Sequence, residues 1–266
     1  MFSNNITIDE IVSVFQSLNA NKAFGPDGIP PGLFKIKSCQ KMIAAFCLPL
    51  FQQSYASKTE PIQFKGGVIM DLLKSAGFFL DCSASRGILL SNILGKTYRK
   101  IIRQRTMPFL ESVSLDTMCG GLLHRGCDFA SHILNSTFDL CRMRKTSLIC
   151  LFVDVVAAFD SVIHSFIVDL ELSDESIIYL MNRLNLPPGS FQELCEALRS
   201  QCALRAASVP DHLHDVVADI LTDNWFLIDN NPIPSSINRS TKQGDPLADM
   251  LFNFFMVKVL TSIVNL

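Results

Sequence analysis

The chain has 266 residues, enough for one large domain or two small ones, and its 48% hydrophobic content is ample for a buried core. A net charge of −2 excludes the global basic excess that usually accompanies phosphate binding, so any nucleic-acid partner requires a local basic patch. Nine cysteines, odd in number and without a Cys-x-x-Cys pair, argue against a disulfide framework and imply reduced, mostly buried thiols of an intracellular protein, in nucleus or cytoplasm.

The first residues carry polar Ser, Asn, Asp and Glu where a secretion signal needs a basic flank and an apolar block. Thr7-Ile8-Asp9-Glu10 fits a capping box with Ile6 stapled onto Ile11, and Ile8, Ile11, Val12, Phe15 and Leu18 follow at helical spacing. The breaker-rich run Asn19 to Pro31 ends that helix, and a second is expected over Leu33 to Tyr55. Apolar runs at Gly66 to Met70 and Ile88 to Leu90 suit strands.

Lys96, Arg99, Lys100 and Arg103 recur at helical spacing, and Arg105 adds a fifth positive charge. They are the candidate nucleic-acid-binding face; an ordinary solvated helix face gives the same pattern. Leu148 to Val153 is a continuous apolar run expected to form a buried strand that delivers Asp154 at its end. A carboxylate so placed is costly unless it meets a cation, although capping a neighbouring turn would also account for it. Two or three helices are expected between Ser165 and Leu221, then a hairpin of Trp225 to Ile228 with Ser235 to Arg239. The apolar stretch Leu247 to Leu266, opened by Asp245-Pro246, is broken by Asp249, Asn253, Lys258 and Asn265, so it is read as a buried amphipathic helix, not a membrane span. The histidines show no metal-ligand or nucleophile motif, and His212-x-His214 is assigned to a polar loop.

Four segments in order resemble the reverse transcriptases of LINE-type (non-LTR) retrotransposons: Asn21 to Pro30 with its Gly25-Pro26-Asp27-Gly28, Ser85-Arg86-Gly87-Ile88-Leu89-Leu90, Phe152 to Val162 with Asp154 and Ala158-Phe159-Asp160, and Lys242-Gln243-Gly244-Asp245-Pro246-Leu247. The resemblance covers residues from about 8 to 260. It implies an α+β right-hand polymerase fold, with residues 1–145 as fingers and 146–266 as a partial palm. It also implies RNA-directed DNA polymerase chemistry on an RNA template, a DNA primer and deoxynucleotide triphosphates. Asp154 would be the catalytic metal ligand, holding Mg²⁺ together with a later aspartate pair. Lys74 and Arg86 would hold the incoming triphosphate, Arg86 through its planar fork. Phe159 would exclude a ribose 2′-hydroxyl, unless it serves core packing, and Gln243 and Gly244 would lie beside the nascent base pair. Asp160 is expected to cap a helix beginning at Ser161, and Asp245 the helix after Pro246.

The sequence departs from the family at Ala84-Ser85-Arg86-Gly87-Ile88-Leu89, where Tyr-Arg-Pro-Ile-Ser is usual, at Ser240-Thr241 for Gly-Val, and at Ala248-Asp249 for Ser-Pro. It reaches Leu266 without the Tyr-x-Asp-Asp that supplies the remaining metal ligands, so the expectation is an incomplete palm, no thumb, and no polymerisation by this chain alone. Two other readings stand beside it: a non-catalytic nucleic-acid binder of the same ancestry, and a mobile-element remnant without function.

Overall fold

The structure is a computed structural model that describes residues 5–73, 85–122, 124–155, 158–170, 173–183, 187–228, 233–237 and 240–264. Helix α1 (Ile8–Ser17) begins at the capping box: the Glu10 amide donates to Thr7 Oγ1 at 3.3 Å and the Thr7 amide to Glu10 Oε2 at 2.8 Å. Its apolar stripe buries Ile11, Val14 and Phe15. A 3₁₀ turn at Pro31–Lys35 precedes α2 (Gln40–Ser57), so the second helix starts later than its apolar pattern suggested. Strands β1 (Gly66–Leu73) and β2 (Ser85–Ser91) lead into α3 (Ile93–Val113) and then α4 (Cys127–Arg144). Four helices follow instead of two or three: α5 (Asp174–Arg183), α6 (Phe191–Arg199), the single turn α7 (Ala203–Ala206) and α8 (Asp211–Leu221). Strands β3 (Asn224–Ile228) and β4 (Ser235–Ile237) form the expected hairpin, and α9 (Ala248–Val264) closes the described chain.

The sheet runs β2-β1-β3-β4. Antiparallel β1 and β2 place Val68 opposite Leu90; β1 and β3 are parallel, with Gly67 opposite Phe226, so the hairpin late in the sequence extends the early one. Phe51 of α2 meets Tyr98 of α3 at 5.8 Å between ring centroids, and Phe15 meets Phe34 at 4.8 Å. Ile101, Ile102, Val217, Ile220, Met250 and Phe254 carry this core on through α3, α8 and α9. Burying each such side chain contributes about 1.5–3 kcal/mol of transfer free energy. The fold is a mixed α+β arrangement, and among the described residues no helix is long and apolar enough to cross a membrane.

Leu148 to Val153 is not a buried strand. It is irregular and exposed, Ile149 by 94% and Phe152 by 78%. A strand needs a neighbour for its N–H and C=O groups, and among the described residues β1 to β4 pair only with one another. The thiols also differ from expectation: Cys47, Cys195 and Cys202 are buried, but Cys127 and Cys150 are exposed.

Candidate functional site

Three of the four segments singled out in the sequence come together where β2, the Phe159 turn and the approach to α9 meet. The Leu89 amide donates to the Gln243 carbonyl at 2.9 Å. Gly244 turns there at φ +102°, and a Cβ on it would stand 2.7 Å from Leu89 O, so only glycine lets the two backbones lie this close. On the other side the Thr241 amide donates to Phe159 O and the Ser240 amide to Val162 O, each at 3.0 Å. These bonds outline a cleft of about 330 Å³ whose walls include Ile69, Gly87, Leu89, Asp160, Lys242 and Gln243. The fourth segment docks at the far end of β2: the Ile93 amide donates to Asp27 Oδ2 at 2.8 Å, and Gly25 packs directly on Ser91 O. Asp27 thereby caps α3, since Asn92 offers no capping side chain.

The individual site residues fall unevenly around this cleft. Gln243 is half-buried in its wall, and Arg86 stands exposed on β2 opposite Leu72. Lys74 lies outside the described residues. Phe159 packs against Phe252 of α9 at 4.9 Å between centroids. Asp245 Oδ1 accepts from the Leu247 amide at 2.8 Å and so caps α9 as expected. Asp160 does not cap a helix at Ser161; it lies inside the 3₁₀ turn Ala158–Ser161 and accepts from Ser240 Oγ at 3.2 Å. Asp154 is exposed on the irregular segment. Among the described residues it belongs to no group of three potential metal ligands.

The basic face of α3 is corrected most strongly. Arg99 is fully buried between Glu60 and Asp245, and it bonds both carboxylates. Arg105 is buried on Glu10, with bonds of 2.9 and 3.0 Å, and lies 4.7 Å from the Tyr55 ring centroid. Arg103 grips Asp249 and the Pro246 carbonyl, the latter at 2.9 Å. These guanidinium groups are taken up inside the fold because α1 and α9 cover the helix face that carries them. Lys96 and Lys100 remain, both half-buried. Burial lowers the Lys100 ammonium, and repulsion from Lys22 and Arg103 lowers it further. Burial likewise lowers Lys96, against attraction from Asp27, with Lys22 again repelling. The surviving basic patch is therefore Lys22, Lys96 and Lys100.

Several buried charges had no signal in the sequence. Lys65 Nζ lies 2.9 Å from Asp219 Oδ1, and the Glu60 amide donates to Asp219 Oδ2 at 2.8 Å. Lys242 is buried and donates to Asn224 Oδ1; burial, with Arg99 adding repulsion, pushes its ammonium down to about 7 against attraction from Asp245 and Glu60. His214 does not sit in a polar loop but in α8, buried, with Cys202 and Asp169 beside it. No family model matches the chain, and no curated protein matches it in sequence.

Proposed function

We infer that the chain is the reverse-transcriptase domain of a LINE-type retrotransposon, an RNA-directed DNA polymerase built on the right-hand α+β fold. Residues 1–145 would form the fingers and 146–266 part of the palm. The supporting observation is convergence: three segments far apart in sequence meet through the Leu89–Gln243 and Phe159–Thr241 hydrogen bonds around one cleft, and a fourth docks at the far end of β2 through Asp27 and Ile93. In this reading Gln243 and Gly244 border the nascent base pair, Arg86 reaches the incoming triphosphate, and Phe159 sets the choice of deoxynucleotide. Asp154 would be one ligand of Mg²⁺, which when bound activates the primer hydroxyl and stabilises the leaving pyrophosphate. Asp154 stands in no group of three potential ligands among the described residues, and in this reading the chain binds substrates without turning them over.

An RNA template annealed to a DNA primer, offered to the full chain with Mg²⁺ and deoxynucleotides, tests this directly. Binding that weakens steeply with salt, with no primer extension, is the expected result. Failure to bind the primer-template even at low salt would discard the function. Templated extension that Asp154→Ala abolishes would discard the claim of inactivity. A non-catalytic binder of the same ancestry is favoured by one observation, the Lys22, Lys96 and Lys100 patch. It requires that duplex RNA without a primer bind as tightly as the primer-template, and that neutralising the three lysines weaken both alike.

A further inference from the structure

We propose that Asp169, Cys202 and His214 form a binding site for a transition-metal dication of the zinc class, oriented by Asp215. The three residues come from separate places in the fold: the turn after Phe166, the residue before α7, and the first half of α8. They share no residue with the Gln243 cleft.

Distances carry the first part of the case. His214 Nε2 lies 3.7 Å from Cys202 Sγ and 3.6 Å from Asp169 Oδ2, and all three ligand atoms lie within 4.8 Å of one another. A tetrahedral zinc ion with Zn–S of about 2.3 Å and Zn–N or Zn–O of about 2.0 Å requires edges of about 3.5 Å for S–N and about 3.3 Å for N–O. The two edges at His214 Nε2 exceed these values by a few tenths of an ångström, within reach of small side-chain rotations.

Orientation carries the second part. The Asp169 amide donates to His214 Nε2 at 3.2 Å, so that nitrogen is the unprotonated one, and a metal binding there would take its lone pair in place of this bond. The other ring nitrogen, Nδ1, lies 3.2 Å from Asp215 Oδ1, which fixes the proton there. Asp215 is itself held by Lys58 at 2.6 Å. A carboxylate behind the imidazole, with the unprotonated nitrogen turned toward a thiol and a second carboxylate, is the arrangement that orients a metal-binding histidine.

Charge and access complete it. Thiolate, neutral imidazole and carboxylate sum to −2, so a dication neutralises the three ligands, with the Cys202 thiol proton released to solvent on binding. The sulfur and nitrogen donors select a borderline-soft metal over Mg²⁺ or Ca²⁺. Cys202 and His214 are 1% and 3% exposed, whereas the Asp169 side chain is 54% exposed and leaves an entrance and a fourth position for water. Arg205, 3.1 Å from Asp169 and also paired with Asp211, faces the same carboxylate. Its Nε bonds Oδ2, the same oxygen that faces His214, so a metal at the site shares or displaces this bond.

The test is titration of the metal-free, reduced full chain with Co²⁺, then Zn²⁺. The expected result is one Co²⁺ per chain with a thiolate-to-cobalt charge-transfer band, displaced by one equivalent of Zn²⁺. Cys202→Ser removes the band. Asp215→Asn, which touches the metal only through His214, weakens affinity by about 10–100-fold at unchanged stoichiometry. Asp169→Asn, at an exposed position that folding tolerates, weakens it by at least about tenfold, and it keeps the test decisive if Cys202→Ser does not fold. No charge-transfer band at one equivalent, or a band and affinity that survive Cys202→Ser or Asp169→Asn unchanged, overturns the site and assigns any bound metal to the other cysteines.

Discussion

Gly244 and Lys242 flank Gln243, and both are held in backbone conformations with positive φ, +102° and +56°. At Gly244 the conformation and the nearby Leu89 carbonyl both reject a side chain. Gly244→Ala should therefore cost about 1–3 kcal/mol, read as a lowered urea midpoint, and should widen the contact between Gln243 and β2. Lys242 predicts a pH dependence with an uncommon sign. Its folded-state pKa is lowered to about 7 from 10.5, so between these values the unfolded chain holds a proton that the folded chain has given up. Stability gained from this residue then rises as pH increases through that window, and below about 7 its cost is fully present because both states are charged. Lys242→Met, which cannot titrate, should lose this alkaline gain; matching wild-type and variant stability profiles across the window would show that the ammonium is not desolvated.

At the scale of elements, what depends on neighbours along the chain was legible in the sequence, and what depends on neighbours across the fold was not. Thr7 and Glu10 cap α1 within one turn, β1 and β2 are short apolar runs, and Asp245 caps α9 two residues on, so each follows from local spacing. The motif residues Arg86, Phe159, Gln243 and Gly244 were recognisable by type, but nothing local revealed that Leu89 and Gln243 would bond. The charges of α3 show the limit most clearly. Arg99, Arg103 and Arg105 read as a nucleic-acid-binding or solvated basic face because Glu60, Asp245, Asp249 and Glu10, which consume them, lie far away in sequence. Arg99→Ala should cost about 3–5 kcal/mol by leaving two buried carboxylates unpaired. Neutralising Lys96 and Lys100 should change stability by no more than about 0.5 kcal/mol, since neither forms an ion pair among the described residues. Thermal or urea melts of the two variants separate these outcomes, and equal effects would mean that Arg99 is solvated after all.

For the whole molecule, the governing feature is the apolar surface left uncovered. Ile149, Leu151, Phe152 and Val153 face solvent along an irregular backbone without strand partners, and α4 beside them buries none of its described residues. Thr117, Ile133 and Thr137 line a shallow groove with Leu148, Ile149 and Cys150, so the two elements form one continuous face. Continuous apolar patches and unpaired backbone both favour association, and a net charge of −2 supplies little repulsion against it. The purified chain should therefore self-associate, with a light-scattering mass above that of the monomer and rising with concentration. Because the contact is apolar, sulfate should strengthen it, whereas an assembly held by ion pairs would loosen as salt is added. Ile149→Lys combined with Phe152→Lys should return the chain to a monomer without lowering its melting temperature, because neither side chain is part of the core. A monomeric wild-type chain at all concentrations would contradict the exposure of this face, and a monomeric variant that melts earlier would mean that the segment packs in solution.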